Sequence, residues 1–413
     1  MNKAQFLPLK GFRDFLPEQA KKKEFVLNTL KEVFSSYGFE PLETPALEYT
    51  KTLLKKYGKE AEKLIYRFKD RGGRDIGLRY DLTVPLARVI ASNPNLPMPF
   101  KRYQIAPVWR ADKPQAGRFR EFWQADIDIV GSTSFLSETE IISCLMECVK
   151  KLGFNDYRLF INDRKIFKQW GLVELKIMKS LDQLPTPYNP NESLGDEIAT
   201  IFRPKGNLSV DESKKQALKF MKIKETEAIK KIKEQVDKLG GSSDKIKFLP
   251  FLARGLDYYT SIIFELQIGG YKNLSVGAGG RYDNLIGQFA GKDIPAVGFS
   301  FGIDRLIEAM EQQNLFKDIP PASQVLVTVF SPEYLEKSIE MSNLLRQKKI
   351  KTEVYFNEDK LDKQIKYADK RGIKYVIILG PDEVKNKTVT IKDLSTGRQS
   401  TVVLDKINEF FSL

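Results

Sequence analysis

From Pro17 to Gly38 apolar side chains return at intervals of three and four, at Val26, Leu30, Val33, Phe34 and Tyr37. That spacing predicts a helix with one buried face, and Gly38, which tolerates the left-handed conformation, is placed to end it. Between about Phe100 and Gly131 the interval drops to two. In Phe100–Arg110 one face carries Arg102, Gln104, Ala106, Val108 and Arg110. In Glu121–Gly131 one face carries Phe122, Gln124, Asp126 and Asp128, and the other carries Trp123, Ala125, Ile127 and Ile129. Alternation of this kind predicts two strands with a dry side and a side dressed in polar groups. Ala111–Arg120 joins them as a loop long and basic enough to reach an anionic ligand.

Further along, Gly171–Lys247 is rich in lysine and reads as a small helical insertion. Within it, Glu225–Leu239 predicts an amphipathic helix with Ile229, Ile232, Val236 and Leu239 inward and Gly240-Gly241 after it. Strand-like sequence returns at Thr260–Ile268, followed by the glycine-rich Val276-Gly-Ala-Gly-Gly-Arg-Tyr-Asp283. Beyond the linker Asp318-Ile-Pro-Pro-Ala322 the pattern alternates: Val325–Phe330 and Tyr375–Leu379 have the length of buried strands, with helical stretches between. The expected layout is therefore a main α+β domain from residues 1–170 and 248–318, an antiparallel sheet flanked by helices. Residues 171–247 form the helical insertion, and residues 323–413 a C-terminal α/β domain.

At 413 residues the chain is long enough for two or three domains. Its net charge of +13 suits a polyanionic partner, although a lysine-rich proteome gives the same excess. Cys144 and Cys148 are the two cysteines; four apart with Ile141 and Leu145, they are expected on the buried face of a helix. They offer neither a disulfide framework nor a zinc cluster, which agrees with a reducing cytoplasm, and no metal-ligating side chains are assigned. The chain contains no histidine, so triads and His-ligated metals are excluded. No run approaches a signal peptide or a membrane span, and a soluble cytoplasmic protein is expected.

The arginines carry the chemistry. Arg110 ends a strand, Arg118 and Arg120 lie in or beside the basic loop, Arg254 opens Arg254-Gly-Leu-Asp-Tyr-Tyr259, and Arg305 closes Gly302-Ile-Asp-Arg305. Guanidinium groups hold phosphate oxygens through paired hydrogen bonds and keep their charge when partly buried. Several converging on one sheet would hold a triphosphate; singly, each could as well pair with a structural carboxylate. The run Gly277-Ala-Gly-Gly280 lacks the spacing and setting of a dinucleotide fingerprint, and no P-loop is present, so a nucleotide site must be built otherwise.

Three stretches in order resemble the three degenerate motifs of class II aminoacyl-tRNA synthetases. They are Gly38-Phe-Glu-Pro-Leu-Glu-Thr-Pro45; Trp109-Arg110-Ala-Asp112 with Arg118-Phe-Arg-Glu-Phe122; and Gly298-Phe-Ser-Phe-Gly-Ile-Asp-Arg305. Leu78-Arg-Tyr-Asp-Leu-Thr-Val-Pro85 and Arg254-Gly-Leu-Asp-Tyr-Tyr259 are similar to signatures of the histidyl-tRNA synthetase family. Gln364–Gly372 and Ile377–Gly380 resemble its anticodon-binding domain. The resemblance runs from about residue 8 to 405 and is loosest in the insertion.

The resemblance implies ATP and Mg²⁺, L-histidine and tRNA(His) as reaction partners, with a homodimer formed through the first motif. It places Arg110 on the ATP α-phosphate, Arg305 on the γ-phosphate, Phe122 under the adenine and Asp112 beside it. Asp81, Thr83 and Gln124 would bind the substrate's α-amino group. Asp128, Tyr258 and Tyr259 would line the imidazole site, and Arg254 would lie beside the attacking carboxylate and the α-phosphate. Gln115, Arg118 and Arg120 would face the tRNA acceptor end. Arg110, Arg254 and Gln124 are the catalytic candidates. One branch of the family has Glu where Asp81 and Asp128 stand here. An ion pair with a neighbouring arginine is the alternative for Asp128, and Asp126 on the same face is available as a partner for Arg102. A non-charging, histidine-sensing regulatory relative is the alternative function; such relatives usually lack the C-terminal domain and have eroded ATP motifs.

Overall fold

A computed structural model describes residues 6–55, 59–113, 118–172, 175–182, 184, 198–199, 209–254, 258–272, 274–316, 319 and 321–411. The chain divides into two compact units, Met1–Lys317 and Asp318–Leu413.

In the first unit the strands are β1 (Glu40–Pro41), β2 (Leu47–Tyr49), β3 (Arg67–Lys69), β4 (Asp75–Leu78), β5 (Phe100–Trp109), β6 (Glu121–Val130), β7 (Tyr157–Asp163), β8 (Ile246–Phe248), β9 (Ile262–Ile268), β10 (Ser275–Arg281) and β11 (Ala296–Gly302). Eight of them make one sheet in the order β1-β5-β6-β11-β10-β9-β7-β8. Its six central strands pair antiparallel, as the alternating sequence predicts. The two edge strands, β1 on β5 and β8 on β7, pair parallel, so the sheet as a whole is mixed. A smaller antiparallel sheet, β2-β4-β3, stands apart from it.

The dry side of β6 is where the alternation places it. Ala125, Ile127 and Ile129 are buried in a core with Val26, Leu30, Val33 and Phe34 of the Pro17–Ser36 helix. Cys144 and Cys148 of the Leu136–Lys151 helix lie in the same core as reduced thiols. Burial of this apolar face, at about 25 cal/mol per Å², presses the helices onto the sheet. Gly38 has φ +72°, and the Phe39 N–H reaches back to Phe34 O at 3.0 Å, a left-handed close to the first helix. The Glu227–Lys238 helix also packs into this core through Ile229, Ile232 and Val236, and Thr139 donates to Gln235 across the helix pair. Leu239, expected inward, is instead exposed: it is the capping residue, where the chain has already turned off the packed face.

The glycine run lies within β10 and is strand, not a phosphate loop. A side chain at Gly277 would strike the Phe299 ring, and one at Gly279 the backbone of β11.

The second unit holds β12 (Val325–Val327), β13 (Thr352–Val354), β14 (Tyr375–Ile378), β15 (Thr388–Asp393) and β16 (Gln399–Val403), in the order β13-β12-β14-β15-β16. The β13-β12-β14 half is parallel and the rest antiparallel. Helices Leu335–Gln347 and Leu361–Lys370 supply the crossovers between the parallel strands, as the alternating pattern predicts.

Candidate active site

The polar side of β5 and β6 continues across β11, β10 and β9 in two neighbouring rows. Cross-strand pairing aligns Gln104, Asp126, Ser300, Ala278 and Glu265 in one row. It aligns Arg102, Asp128, Gly298, Gly280 and Ile263 in the next. The glycines of the second row leave room above the sheet: a side chain on Gly298 would overlap the Asp128 carboxylate, and one on Gly280 would press on the Tyr259 ring.

Asp128 fills that space. Its carboxylate takes an ion pair from Arg102 Nη2 at 2.6 Å and a hydrogen bond from the Tyr282 hydroxyl. The partner of Arg102 is thus Asp128, not Asp126, because the hairpin register sets Arg102 opposite Asp128. Arg102 is wholly buried, donates also to Leu82 O at 3.3 Å, and keeps Nε and Nη1 without a partner among the described residues. Asp126 is 3% exposed, and its Oδ1 has no partner among the described residues. Burial, offset in part by Arg102 and reinforced by Asp128, pushes its carboxyl up to about 7. Asp81 is buried as well; its Oδ1 accepts from the Val84 N–H at 3.0 Å and so closes the first turn of the Thr83–Ser92 helix. Arg102, Asp128 and Asp81 all lie within the field of Asp126, so three buried carboxylates share this region with one buried guanidinium.

Gln124 stands one step along β6. Its Nε2 donates to Ser300 Oγ at 2.6 Å, and its Oε1 is buried without a partner among the described residues. Next to it, the Arg110 guanidinium lies 5.0 Å from the centre of the Phe122 ring and donates from Nε to Tyr80 O at 3.1 Å. Tyr259 is buried and electrostatically linked to Arg254, Asp128 and Asp126; burial raises its hydroxyl pKa, with Arg254 and Tyr258 opposing. The Tyr258 and Tyr259 rings lie 4.3 Å apart. Burial works against the Arg254 charge, yet Glu265, at 3.1 Å from Nη1, holds it more firmly protonated than usual. Arg305 is the opposite case. Burial, then the positive charges of Arg118 and Arg254, lower its pKa, and among the described residues Nη1 has only the Ser275 carbonyl, at 2.9 Å. Carbonyl partners hold Arg110 and Arg305 in place without neutralising them.

The expected site residues are therefore brought to one face: Arg110 with Phe122, Gln124 with Ser300, Asp128 with Tyr259, and Arg254 and Arg118 with Arg305. Asp112 is exposed at the loop base, where its carbonyl accepts from Arg120 Nε at 3.2 Å. Arg120 also donates to Lys10 O at 3.3 Å, which turns it toward the start of the chain, while Arg118 sits within the field of Arg305. Gln115 lies outside the described residues, as do residues 255–257 of the Arg254–Tyr259 signature. Thr83 begins its helix and is half-buried.

Sequence reasoning missed four participants. Tyr282 follows the glycine run and was legible only as part of that run. Arg79 is buried and ties the first motif to β5, with Nη1 reaching Thr44 O and Nε donating to Pro107 O at 3.1 Å. Arg13 pairs with Asp304, whose Oδ2 also accepts from the Trp123 N–H at 3.2 Å, fastening the helix that bears Arg305 to β6. Ser300 is the fourth.

The mixed sheet with its antiparallel centre, the arginines at one end of its polar face and the second α/β unit define a class II aminoacyl-tRNA synthetase. A family model described as histidyl-tRNA synthetase matches residues 11–306, and one described as anticodon binding domain matches residues 324–412. The chain is similar to the histidine--tRNA ligase of Gloeobacter violaceus, 39% identical with 95% of this chain and 96% of that protein covered. It is also similar to the histidine--tRNA ligase of Aeropyrum pernix, 38% identical over 96% and 95%. The crystal structure of histidyl-tRNA synthetase from Nostoc superposes with a TM-score of 0.84 at 28% identity, covering 98% of this chain and 99% of that one. The chain belongs to the histidyl-tRNA synthetase family.

Proposed function

We propose that the chain is a histidine--tRNA ligase: it joins L-histidine to ATP as histidyl-adenylate and then charges tRNA(His). The observation that carries the reading is the split polarity of one sheet face. Asp81, Asp126 and Asp128 outnumber Arg102 at one end, which suits a cationic amino acid. Arg110, Arg118, Arg254 and Arg305 gather toward the other, which suits a triphosphate.

In the first step the carboxylate of histidine attacks the α-phosphorus and pyrophosphate leaves. The attacking group is already ionised, so positioning and charge stabilisation by Arg110 and Arg254 do the work, and no general base is needed. Arg305 holds the γ-phosphate and Phe122 stacks on the adenine, with Asp112 beside it. Asp81, Thr83 and Gln124 take the ammonium group. Asp128, already bridged by Arg102 and Tyr282, offers its carboxylate to the imidazole together with Tyr258 and Tyr259. Among the described residues no group of three or more acidic or cysteine side chains could hold a metal by itself. Mg²⁺ would come with the nucleotide and would supply charge neutralisation at the phosphates, with Glu265, beside Arg254, as the carboxylate that would hold it.

In the second step a terminal ribose hydroxyl of the tRNA attacks the acyl carbon and AMP leaves. With no histidine in the protein, a phosphate oxygen of the adenylate or a water chain takes the hydroxyl proton. Arg118, Arg120 and the loop with Gln115 approach the acceptor end, and residues 323–413 bind the anticodon stem. No described helix is long and apolar enough to cross a membrane. The working form is a cytoplasmic homodimer.

ATP–pyrophosphate exchange tests the reading. Histidine, and no other amino acid, is expected to drive exchange, and Arg305→Ala is expected to lower kcat about 10²-fold or more. Failure of histidine to drive exchange, or of the enzyme to charge tRNA(His), would favour the regulatory alternative.

A further inference from the structure

The amide of Gln124 can present either its oxygen or its nitrogen to the substrate. Only the oxygen suits an ammonium group, which carries three donors and no acceptor. The choice is made behind Gln124. Ser300 Oγ lies 2.6 Å from Gln124 Nε2, and a hydroxyl can accept there only if its own proton goes elsewhere. Ser300 is the cross-strand partner of Asp126, which sets its hydroxyl on the same sheet face beside that carboxyl, whose Oδ1 is a buried acceptor without a partner among the described residues. On the other side of Asp126 the cross-strand residue is Gln104, whose Nε2 donates to Thr44 Oγ1 at 3.0 Å. Asp126 Oδ1, Gln104 Oε1 and Gln124 Oε1 are all buried acceptors without a partner among the described residues.

We infer that Asp126 and Ser300 are positioning residues: Asp126 draws the Ser300 proton, Ser300 must then accept from Gln124 Nε2, and Gln124 Oε1 is left facing the substrate ammonium. The inference rests on the proposed histidine site. A flipped Gln124 would aim two N–H groups at a cation and leave Ser300 to donate to an amide oxygen in place of a carboxylate, the better acceptor. The arrangement survives protonation of Asp126. A neutral carboxyl keeps one acceptor oxygen for Ser300, and its proton finds the waiting Gln104 Oε1. The charged and titratable groups in the field of Asp126 are Arg79, Asp81, Arg102, Asp128, Tyr259 and Tyr282. Among the described residues the donor to Ser300 Oγ is Gln124.

Calorimetric titration of the full-length enzyme with two ligands tests this. Histidinol carries the ammonium; imidazolepropionate keeps the ring and carboxylate but lacks it. Ser300→Ala is expected to weaken histidinol about tenfold or more and to leave imidazolepropionate within about twofold. In pyrophosphate exchange the same change should raise KM for histidine with little loss of kcat, and Ser300→Thr, which keeps the hydroxyl, should restore wild-type behaviour. Equal weakening of both ligands, or of neither, would overturn the relay while leaving the histidine site standing. A wild-type enzyme that binds neither ligand would remove the site, and the relay with it.

Discussion

Two buried arginines on the same sheet are treated in opposite ways. Arg281, on β10, is saturated: Nε and Nη2 grip Glu138 at 2.6 and 2.7 Å, and Nη1 donates to Ser132 O at 2.9 Å and to Asp283 at 3.2 Å. Arg102, on β5, makes one ion pair and one long hydrogen bond to a carbonyl, and leaves two nitrogens without described partners. Around Arg281 every guanidinium nitrogen is paired. Around Arg102 there is a surplus of carboxylate, and acceptors such as Gln104 Oε1 and Gln124 Oε1 are left over. A buried polar group without a partner costs about 1–3 kcal/mol, so an unfinished cluster persists where a ligand completes it. The contrast separates a structural clamp from a binding site although both are buried, charged and close together.

The largest expected effects come from removing the acid of each pair. Glu138→Ala strands Arg281 in a site built for it and is expected to destabilise the fold by about 3–5 kcal/mol in denaturant titration. The fraction that remains folded should keep its KM for histidine. Asp128→Ala should cost less stability, because Asp126 lies within the field of Arg102. It should cost far more function, about 10²-fold or more in kcat/KM for histidine. If both variants lose stability and activity in parallel, the contrast fails.

Asp126→Asn sharpens the comparison from the other side. In the folded state the Asp126 carboxyl titrates at about 7, raised from 3.8 by burial. The native state then binds more protons than the unfolded one between those values, so this group's contribution to stability is full below about pH 4 and is lost as pH rises toward 7. The neutral amide removes that loss. The variant is therefore expected to be more stable than wild type at pH 8, by on the order of 1–3 kcal/mol, with the gain shrinking toward pH 5. Thermal unfolding at the two pH values measures it, and a gain that is larger at pH 5 contradicts the assignment.

Much of this site is legible in the sequence because β5 and β6 alternate cleanly. A period of two places Phe122, Gln124, Asp126 and Asp128 on one side and the core residues on the other without knowledge of the fold. What the alternation leaves open is register. A shift of two residues keeps every side chain on its face yet would set Arg102 opposite Asp126, and only the folded hairpin decides for Asp128. Pairings between distant segments are silent for the same reason: nothing local in Glu40–Pro41 or Ile246–Phe248 announces a parallel edge strand. Tyr282 was hidden by its surroundings. A glycine run invites a reading as a loop, whereas here the missing side chains let Phe299, Asp128 and Tyr259 crowd the sheet, and Tyr282 emerges at its end. Leu239 shows the limit of a helical wheel at the last turn, where the periodic face has already ended.

The unfinished cluster around Arg102 can be examined directly by a crystal structure with histidinol and a non-hydrolysable ATP analogue. The ammonium is expected against Gln124 Oε1, Asp81 and Thr83, the imidazole against Asp128 and Tyr259, and the phosphates among Arg110, Arg254 and Arg305. Histidinol bound away from the Asp81–Asp126–Asp128 cluster, or phosphates held by none of these arginines, would contradict this arrangement.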